Sequence, residues 1–215
     1  MNGYKVIMLK NGEQNQWLLK KHYAKRLPSI SYAFGLVDDE KIVGVCTFGF
    51  PPNFNYNNGK CIFNDHEVMT LELNRLVMNV VEVKNLLSFF VSQCIKLLPK
   101  PMALVSYADP NQNHHGYIYQ ATNWIYTGVS TPKKRYIFED GSSFDIRRGI
   151  DTKGKIVDIQ DMKPTHRYIY LHGNKQQKKT MLKHFKLDSL PYPKGENKKY
   201  DCIDIDMHYQ KDFFM

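Results

Sequence analysis

The chain has 215 residues, 42% of them hydrophobic and 13% aromatic, enough for one mixed α/β domain with an extension and a buried core. No apolar run approaches the roughly 18 residues of a membrane span. The apolar opening closed by Lys10 is too short for a signal peptide, so a soluble, cytoplasmic protein is expected.

The formal charge is +9, and its distribution says more than its sum: between Lys163 and Lys199 stand ten basic residues and two acidic ones, leaving the rest of the chain near neutral. Tyr168, Tyr170, His172, Phe185 and Tyr192 are interleaved with this block. That mixture suits a phosphate backbone with unstacked bases nearby; a solvated surface is the alternative reading. The cysteines, Cys46, Cys61, Cys94 and Cys202, are scattered without a Cys-x-x-Cys pair, which speaks against zinc-ribbon and dithiol chemistry.

In chain order, residues 4–9 are short and β-rich enough for a first strand. Residues 11–26, carrying Trp17, Leu18, Leu19 and Tyr23 among basic residues, read as a helix that ends before Pro28. Strands are predicted at 31–37 and 41–50 around an Asp38-Asp39-Glu40 turn, then a loop over 51–59. A long strand follows at 67–78. A helix over 85–98 has a broad stripe of Leu86, Leu87, Phe90, Val91, Cys94, Ile95 and Leu98, stopped by Pro99. A strand at 102–108, a short helix at 116–123, a strand at 124–127 and a hairpin of 134–138 with 144–147 complete the periodic part. Beyond Asp151 the pattern weakens, with one helix predicted at 175–185. This order argues for a mixed sheet with helices on its faces.

Four segments carry candidate chemistry. Lys20-Lys21-His22-Tyr23-Ala24-Lys25-Arg26 sets an imidazole and a phenol in a basic helix end, where cations favour a polyanion. Ser106-Tyr107-Ala108-Asp109-Pro110 puts an acid at a strand's carboxyl end, where open α/β sheets tend to place ligands; Asp before Pro is equally a common turn. Adjacent His114 and His115 lack a third spaced metal ligand. Gly116-Tyr117-Ile118-Tyr119-Gln120-Ala121-Thr122-Asn123-Trp124 reads, alone, as an aromatic helix packed on a sheet.

Taken together, these segments resemble the GCN5-related acetyltransferase superfamily and, within it, the phage Mom family of DNA adenine modification. The superfamily places a Tyr on the helix after its fifth strand, and Tyr119 with Asn123-Trp124 is similar to that arrangement. Features similar to the Mom family are His22-Tyr23 with Lys25-Arg26-Leu27-Pro28, Leu71-Glu72-Leu73-Asn74-Arg75-Leu76, and Ser106-Tyr107-Ala108-Asp109-Pro110. They continue with His115-Gly116, the run from Tyr119 to Tyr126, His166-Arg167-Tyr168 and Leu190-Pro191-Tyr192-Pro193-Lys194. The likeness spans about residues 15–195. One departure stands out: the superfamily's spaced-glycine phosphate loop is replaced by Asn79-Val80-Val81-Glu82-Val83-Lys84-Asn85.

The resemblance implies an α/β (α+β) fold with a mixed, mostly antiparallel central sheet flanked by helices. It implies an acyltransferase core over residues 1–150 and a basic extension over 151–215 that packs on the core and contacts DNA. The implied activity converts adenine N6 in double-stranded DNA to a methylcarbamoyl-type adduct, protecting phage DNA from host restriction; the host cytoplasm would be its compartment. Asp109 is implied as base or amine orienter, Tyr119 as proton donor to the departing thiolate, with His22 and Tyr23 around the reacting base. Acetyl-coenzyme A is implied as cofactor, held by Arg75, Val77, Met78, Lys84, Asn85 and Ser88, a helix N-terminus standing in for the glycine loop. DNA is assigned to Lys25, Arg26, Tyr117, Arg167, Lys175, Lys178 and Lys179. A metal held by His22 with Asp109 stays undetermined, as does assembly into a homodimer. Two other readings stand beside this one: an acetyltransferase acting on a protein or small amine, and a non-catalytic nucleic-acid-binding domain.

Overall fold

The computed structural model describes residues 3–79, 82–145, 154–195 and 204–208. Seven strands form the central sheet: β1 (Tyr4–Met8), β2 (Tyr32–Asp38), β3 (Lys41–Gly49), β4 (Thr70–Met78), β5 (Met102–Ala108), β6 (Ile125–Val129) and β10 (His166–His172). Their order is β1-β2-β3-β4-β5-β10-β6, antiparallel throughout except for β4 beside β5. Between β6 and β10 the chain builds a second sheet, β8-β7-β9, from β7 (Lys133–Phe138), β8 (Ser143–Asp145) and β9 (Ile156–Met162). The helices are α1 (Phe54–Asn57), α2 (Leu86–Leu97), α3 (Tyr117–Ala121) and α4 (Lys175–His184). This is the mixed α/β fold with a largely antiparallel sheet that the sequence implied.

The sheet is covered on both faces. On one, the buried stripe of α2 (Leu86, Phe90, Val91, Cys94, Ile95) packs against Phe34, Phe48, Leu71 and Leu104, with Tyr119, Trp124 and Tyr168 completing the cluster. On the other, Met181 of α4 joins Ile62 and Phe63 over Ala103, Val105 and Ile169, while Trp17 and Leu18 cover Val37, Ile42 and Val45. A strand buried on both faces needs no polar alternation. That explains why β5 reads as the nearly continuous apolar run Met102-Ala103-Leu104-Val105, with Met102 and Leu104 on one face and Ala103 and Val105 on the other.

Three expectations change. The helix predicted over 11–26 is a single π-helical turn, Trp17–Lys21, after which His22 is already extended. Gly12 and Lys25 both adopt positive φ, +99° and +41°, which an α-helix cannot hold, and the adjacent Trp17 and Leu18 are both pulled into the core. The strand predicted from 67 begins at Thr70, and of the strand predicted over 144–147, Ile146 and Arg147 lie outside the described residues. β9 and β10 were not anticipated. His166-Arg167 and His172 made β10 look like part of a basic extension, yet Tyr168 and Tyr170 face one layer and Ile169 and Leu171 the other. The core therefore does not end at residue 150: β10 is an inner strand between β5 and β6.

α3 begins at Gly116, whose φ is +81° and whose missing side chain makes room for Tyr168: a Cβ there would lie 2.4 Å from the Tyr168 ring. Gly116→Ala meets both a backbone penalty and a packing clash. We expect it to lower unfolding free energy by about 2 kcal/mol in denaturant titrations; an unchanged midpoint would contradict this packing.

Candidate active site

β4 and β5 are the parallel neighbours of the sheet, and their ladder is short. It pairs Thr70 with Ala103, Leu71 with Leu104 and Glu72 with Val105, and ends there. Beyond it, β4 stays with β3 as far as Gly44↔Met78, while β5 stays with β10 as far as Ala108↔His166. Asn74 is an extra residue on β4, between Leu73 opposite Phe48 and Arg75 opposite Thr47. The two strands thus part at their carboxyl ends, where α/β sheets characteristically take ligands.

Side chains bridge this wedge. Ser106 Oγ lies 2.8 Å from the Leu73 carbonyl and 2.7 Å from Tyr119 Oη. A carbonyl can only accept, so the single Ser106 proton goes to Leu73 and the Tyr119 hydroxyl donates to Ser106. Arg75 Nη1 donates to the Asn74 carbonyl at 2.6 Å, and its Nε is buried without a hydrogen-bond partner. Burial lowers the Arg75 pKa, and Tyr23 and Glu72 act on it in the opposite sense. Burial pushes the Tyr119 phenol well above its ordinary range, so it stays protonated near neutrality.

His22 and Tyr23 reach the same place from the turn after Trp17–Lys21. The two rings lie 4.3 Å apart, and Tyr23 meets His114 edge-on at 5.8 Å. His22 is buried, and its pKa is lowered to about 3, first by burial and then by the charges of Arg75 and His114. The ring is therefore neutral. Its Nδ1 accepts the Ala24 N–H at 3.1 Å, which places the remaining ring proton on Nε2. His22 can donate a hydrogen bond there and cannot act as a base from that atom.

Asp109 follows β5 directly. Its Oδ1 accepts from Asn111 N at 2.9 Å and Asn111 Nδ2 at 2.7 Å, capping the 3₁₀ turn Pro110–Gln112. The His114 N–H donates to the Asp109 carbonyl at 3.1 Å. Burial lowers the His114 pKa, and the Asp109 charge opposes that shift. His22, Tyr23, Asp109 and Tyr119 thus share one locality: ring contacts run from His22 through Tyr23 to His114, and the Tyr23 phenol acts electrostatically on Tyr119.

The remaining candidates divide. Val77 and Met78 are partly buried and pack on opposite faces of the sheet. Lys84 and Asn85 are exposed at the start of α2, where Asn85 has φ +64° and Ser88 Oγ donates to its carbonyl at 2.9 Å. Lys25 and Arg26 are exposed beside the site, and the Arg26 charge reaches Arg75. Tyr117 is exposed, its hydroxyl donating to the Gly195 carbonyl. Arg167 is already committed: Nε donates to Thr127 Oγ1 at 2.8 Å, Nη2 to the Thr127 carbonyl at 2.9 Å and Nη1 to Tyr56 Oη at 3.2 Å. Lys175 and Lys179 are exposed on α4, while Lys178 lies 5.4 Å over the Tyr170 ring.

A metal does not fit this donor set. Among the described residues no three His, Cys, Asp or Glu side chains converge on a common point, and the lone pair of His22 is spent on Ala24. The residue order assigns no site role to Ser106, Glu72 or Asn111, and suggests His114 only as a weak metal ligand. Ser106 and Glu72 stand inside segments that resemble the Mom family, and a serine inside the apolar β5 run is a signal in its own right.

The fold and this cluster define a mixed-sheet protein with a polar cluster of buried and half-buried side chains where a pair of parallel strands parts. A family model described as the Mom protein family matches residues 4–194, and the chain belongs to that family. The methylcarbamoylase Mom of Escherichia phage Mu is 26% identical over 190 residues, covering 81% of this chain and 77% of that protein. Among solved structures, the ribosomal-protein-S5-alanine acetyltransferase of Vibrio fischeri overlaps with a TM-score of 0.47 at 11% identity, covering 81% of this chain and 96% of its own. A GNAT family acetyltransferase of Elizabethkingia anophelis with acetyl-CoA bound gives 0.45 at 12%, covering 80% and 99%. Overlaps at this level carry no argument about the site.

His22 makes a prediction about pH. Its folded pKa lies below the ordinary 6.5, so the unfolded chain takes up a proton that the folded chain refuses between pH 6.5 and about 3. Its stabilising contribution is complete above pH 6.5 and is lost on acidification through that window, at up to about 1.4 kcal/mol per pH unit. Unfolding midpoints measured across that window should fall less steeply for His22→Asn than for the wild type. Parallel curves would show that His22 titrates normally.

Proposed function

We propose that this protein transfers an acyl-type group to the exocyclic N6 amine of adenine in double-stranded DNA. The observation that carries the reading is the convergence of Asp109, neutral His22, Tyr23, Arg75 and the Ser106–Tyr119 pair at the parting of β4 and β5. The Mu relative is named for methylcarbamoyl transfer, and family membership supports the same product class here, with protection of phage DNA from restriction as its consequence.

The N6 amine is a poor nucleophile because its lone pair is delocalised into the ring. Catalysis must orient it, take a proton as nitrogen attacks, and stabilise charge on the carbonyl oxygen. Asp109 Oδ2 accepts the amine proton. His22 Nε2–H and the Arg75 guanidinium supply donors to developing negative charge. The Tyr119 hydroxyl, protonated and resting on Ser106 before reaction, turns its single proton from Ser106 to the leaving group as that group departs. Acetyl-coenzyme A, when bound, supplies an activated acyl carbon. Arg75, Ser88, Lys84 and the amides opening α2 are the groups of this chain suited to hold its polar parts. A methylcarbamoyl group contains a nitrogen that acetyl lacks, so plain acetyl transfer is not the whole reaction.

An amine inside a duplex is stacked and paired, so the base must be everted to react. Exposed Tyr23 and Tyr117 offer ring faces beside the site. Lys25 and Arg26 offer phosphate contacts there, and Lys175 and Lys179 of α4 extend a basic surface further along the molecule. Arg167, held by Thr127 and Tyr56, acts in the sheet rather than on DNA.

Mass spectrometry of nucleosides from DNA incubated with purified protein and cell extract tests the assignment. Asp109→Asn and Tyr119→Phe should each lower the rate of adenine modification by about 10²-fold or more while leaving the fold intact. Near-normal modification in both variants would refute it.

A further inference from the structure

Residues 130–165 leave the central sheet after β6 and return to it as β10, and the β8-β7-β9 sheet lies between. β9 is exposed over most of its length, Val157 and Ile159 each being more than half exposed, so this sheet stands off the core as an arm. Among the described residues, two ties hold its root. In the first, the Ser130 N–H donates to the Thr165 carbonyl at 2.8 Å, and the Thr165 N–H returns a bond to Ser130 Oγ at 3.0 Å.

The second tie is made by Asn111. Its Nδ2 donates to the Lys163 carbonyl at 3.0 Å and its Oδ1 accepts the Lys163 N–H at 3.0 Å, so the side-chain amide takes the place of a strand partner. The same Nδ2 donates its other proton to Asp109 Oδ1 at 2.7 Å, and the Asn111 backbone N–H donates to that oxygen at 2.9 Å. Both amide protons and the carbonyl are thereby used. An amide is planar, with its two N–H directions fixed in one plane. Any shift of Lys163 that turns the amide also swings the N–H that holds Asp109.

We propose that Asn111 is a positioning residue that fixes the Asp109 carboxylate by tying it to the root of the β7–β9 arm. This inference rests on the role given to Asp109 above. Misplacement of a reacting group by about an ångström can cost on the order of 10²-fold in rate. An arm displaced at its root therefore lowers turnover without touching the groups that bind DNA.

The test compares wild type, Asn111→Ala and Asp109→Ala, each as the full chain. Adenine modification rate, affinity for a duplex oligonucleotide and hydrogen exchange at the Lys163 amide are measured. Asn111→Ala is expected to lower kcat by about tenfold or more at unchanged DNA affinity, and Asp109→Ala to speed exchange at Lys163, to which Asp109 is not bonded. Should Asn111→Ala fail to fold, Asn111→Asp takes its place: it keeps an acceptor for the Lys163 N–H and loses both Nδ2 bonds, with the same expected loss of kcat. Normal kcat at Asn111 with an inactive Asp109→Ala overturns the inference alone, as does unchanged Lys163 exchange in Asp109→Ala. Normal modification by Asp109→Ala overturns the functional reading beneath it.

Discussion

Two parallel strands share a ladder only while neither has a better partner, and past Glu72 and Val105 each of β4 and β5 turns to its other neighbour. The separation would leave backbone carbonyls in the interior with nothing to accept from, at a cost comparable to a lost hydrogen bond apiece. Two side chains meet that need: Ser106 Oγ reaches the Leu73 carbonyl, and Arg75 reaches the carbonyl of Asn74, the extra residue on β4. The parting of the strands thus fixes where a hydroxyl and a guanidinium must stand. Tyr119, hydrogen-bonded to that hydroxyl, is placed by the same constraint.

Electrostatics follows from this placement. Groups lifted out of water are pushed towards their neutral forms. His22 is held unprotonated and Tyr119 protonated, both chiefly by burial. A site with a neutral donor imidazole, a protonated phenol and a half-buried guanidinium is arranged to receive negative charge as it develops. Asp109, tethered at one oxygen by the turn it caps, is the group to which the proposed reaction gives the amine proton.

Much of this was legible in the residue order. The apolar stripe of α2, the buried β5 run, the Asp109-Pro110 strand end and the Tyr119 helix are local patterns, and the fold uses them as read. β10 was hidden because its histidines and Arg167 resemble a solvated basic segment, whereas the layers on either side give each of its residues a partner. Arg167 shows the same limit: its charge suggested phosphate, and only tertiary placement brings Thr127 and Tyr56 to it. The turn at Trp17–Lys21 broke a helical pattern because burial of two adjacent large residues outweighed propensity. Ser106 lies in a family-like segment that gives it no role, and Asn111 carries no motif. Their work consists of bonds to backbone atoms 33 and 52 residues away, which no local reading reveals.

The central claim is that the reactants meet where β4 and β5 separate. Amide chemical shifts of the isotope-labelled protein, recorded on titration with acetyl-coenzyme A, test it most directly. The account predicts the largest changes at Leu73, Asn74, Arg75 and Ser106, with further changes in the first turn of α2. Changes confined to α4 or to the layer around Ile62 and Phe63, with those four amides silent, would contradict it.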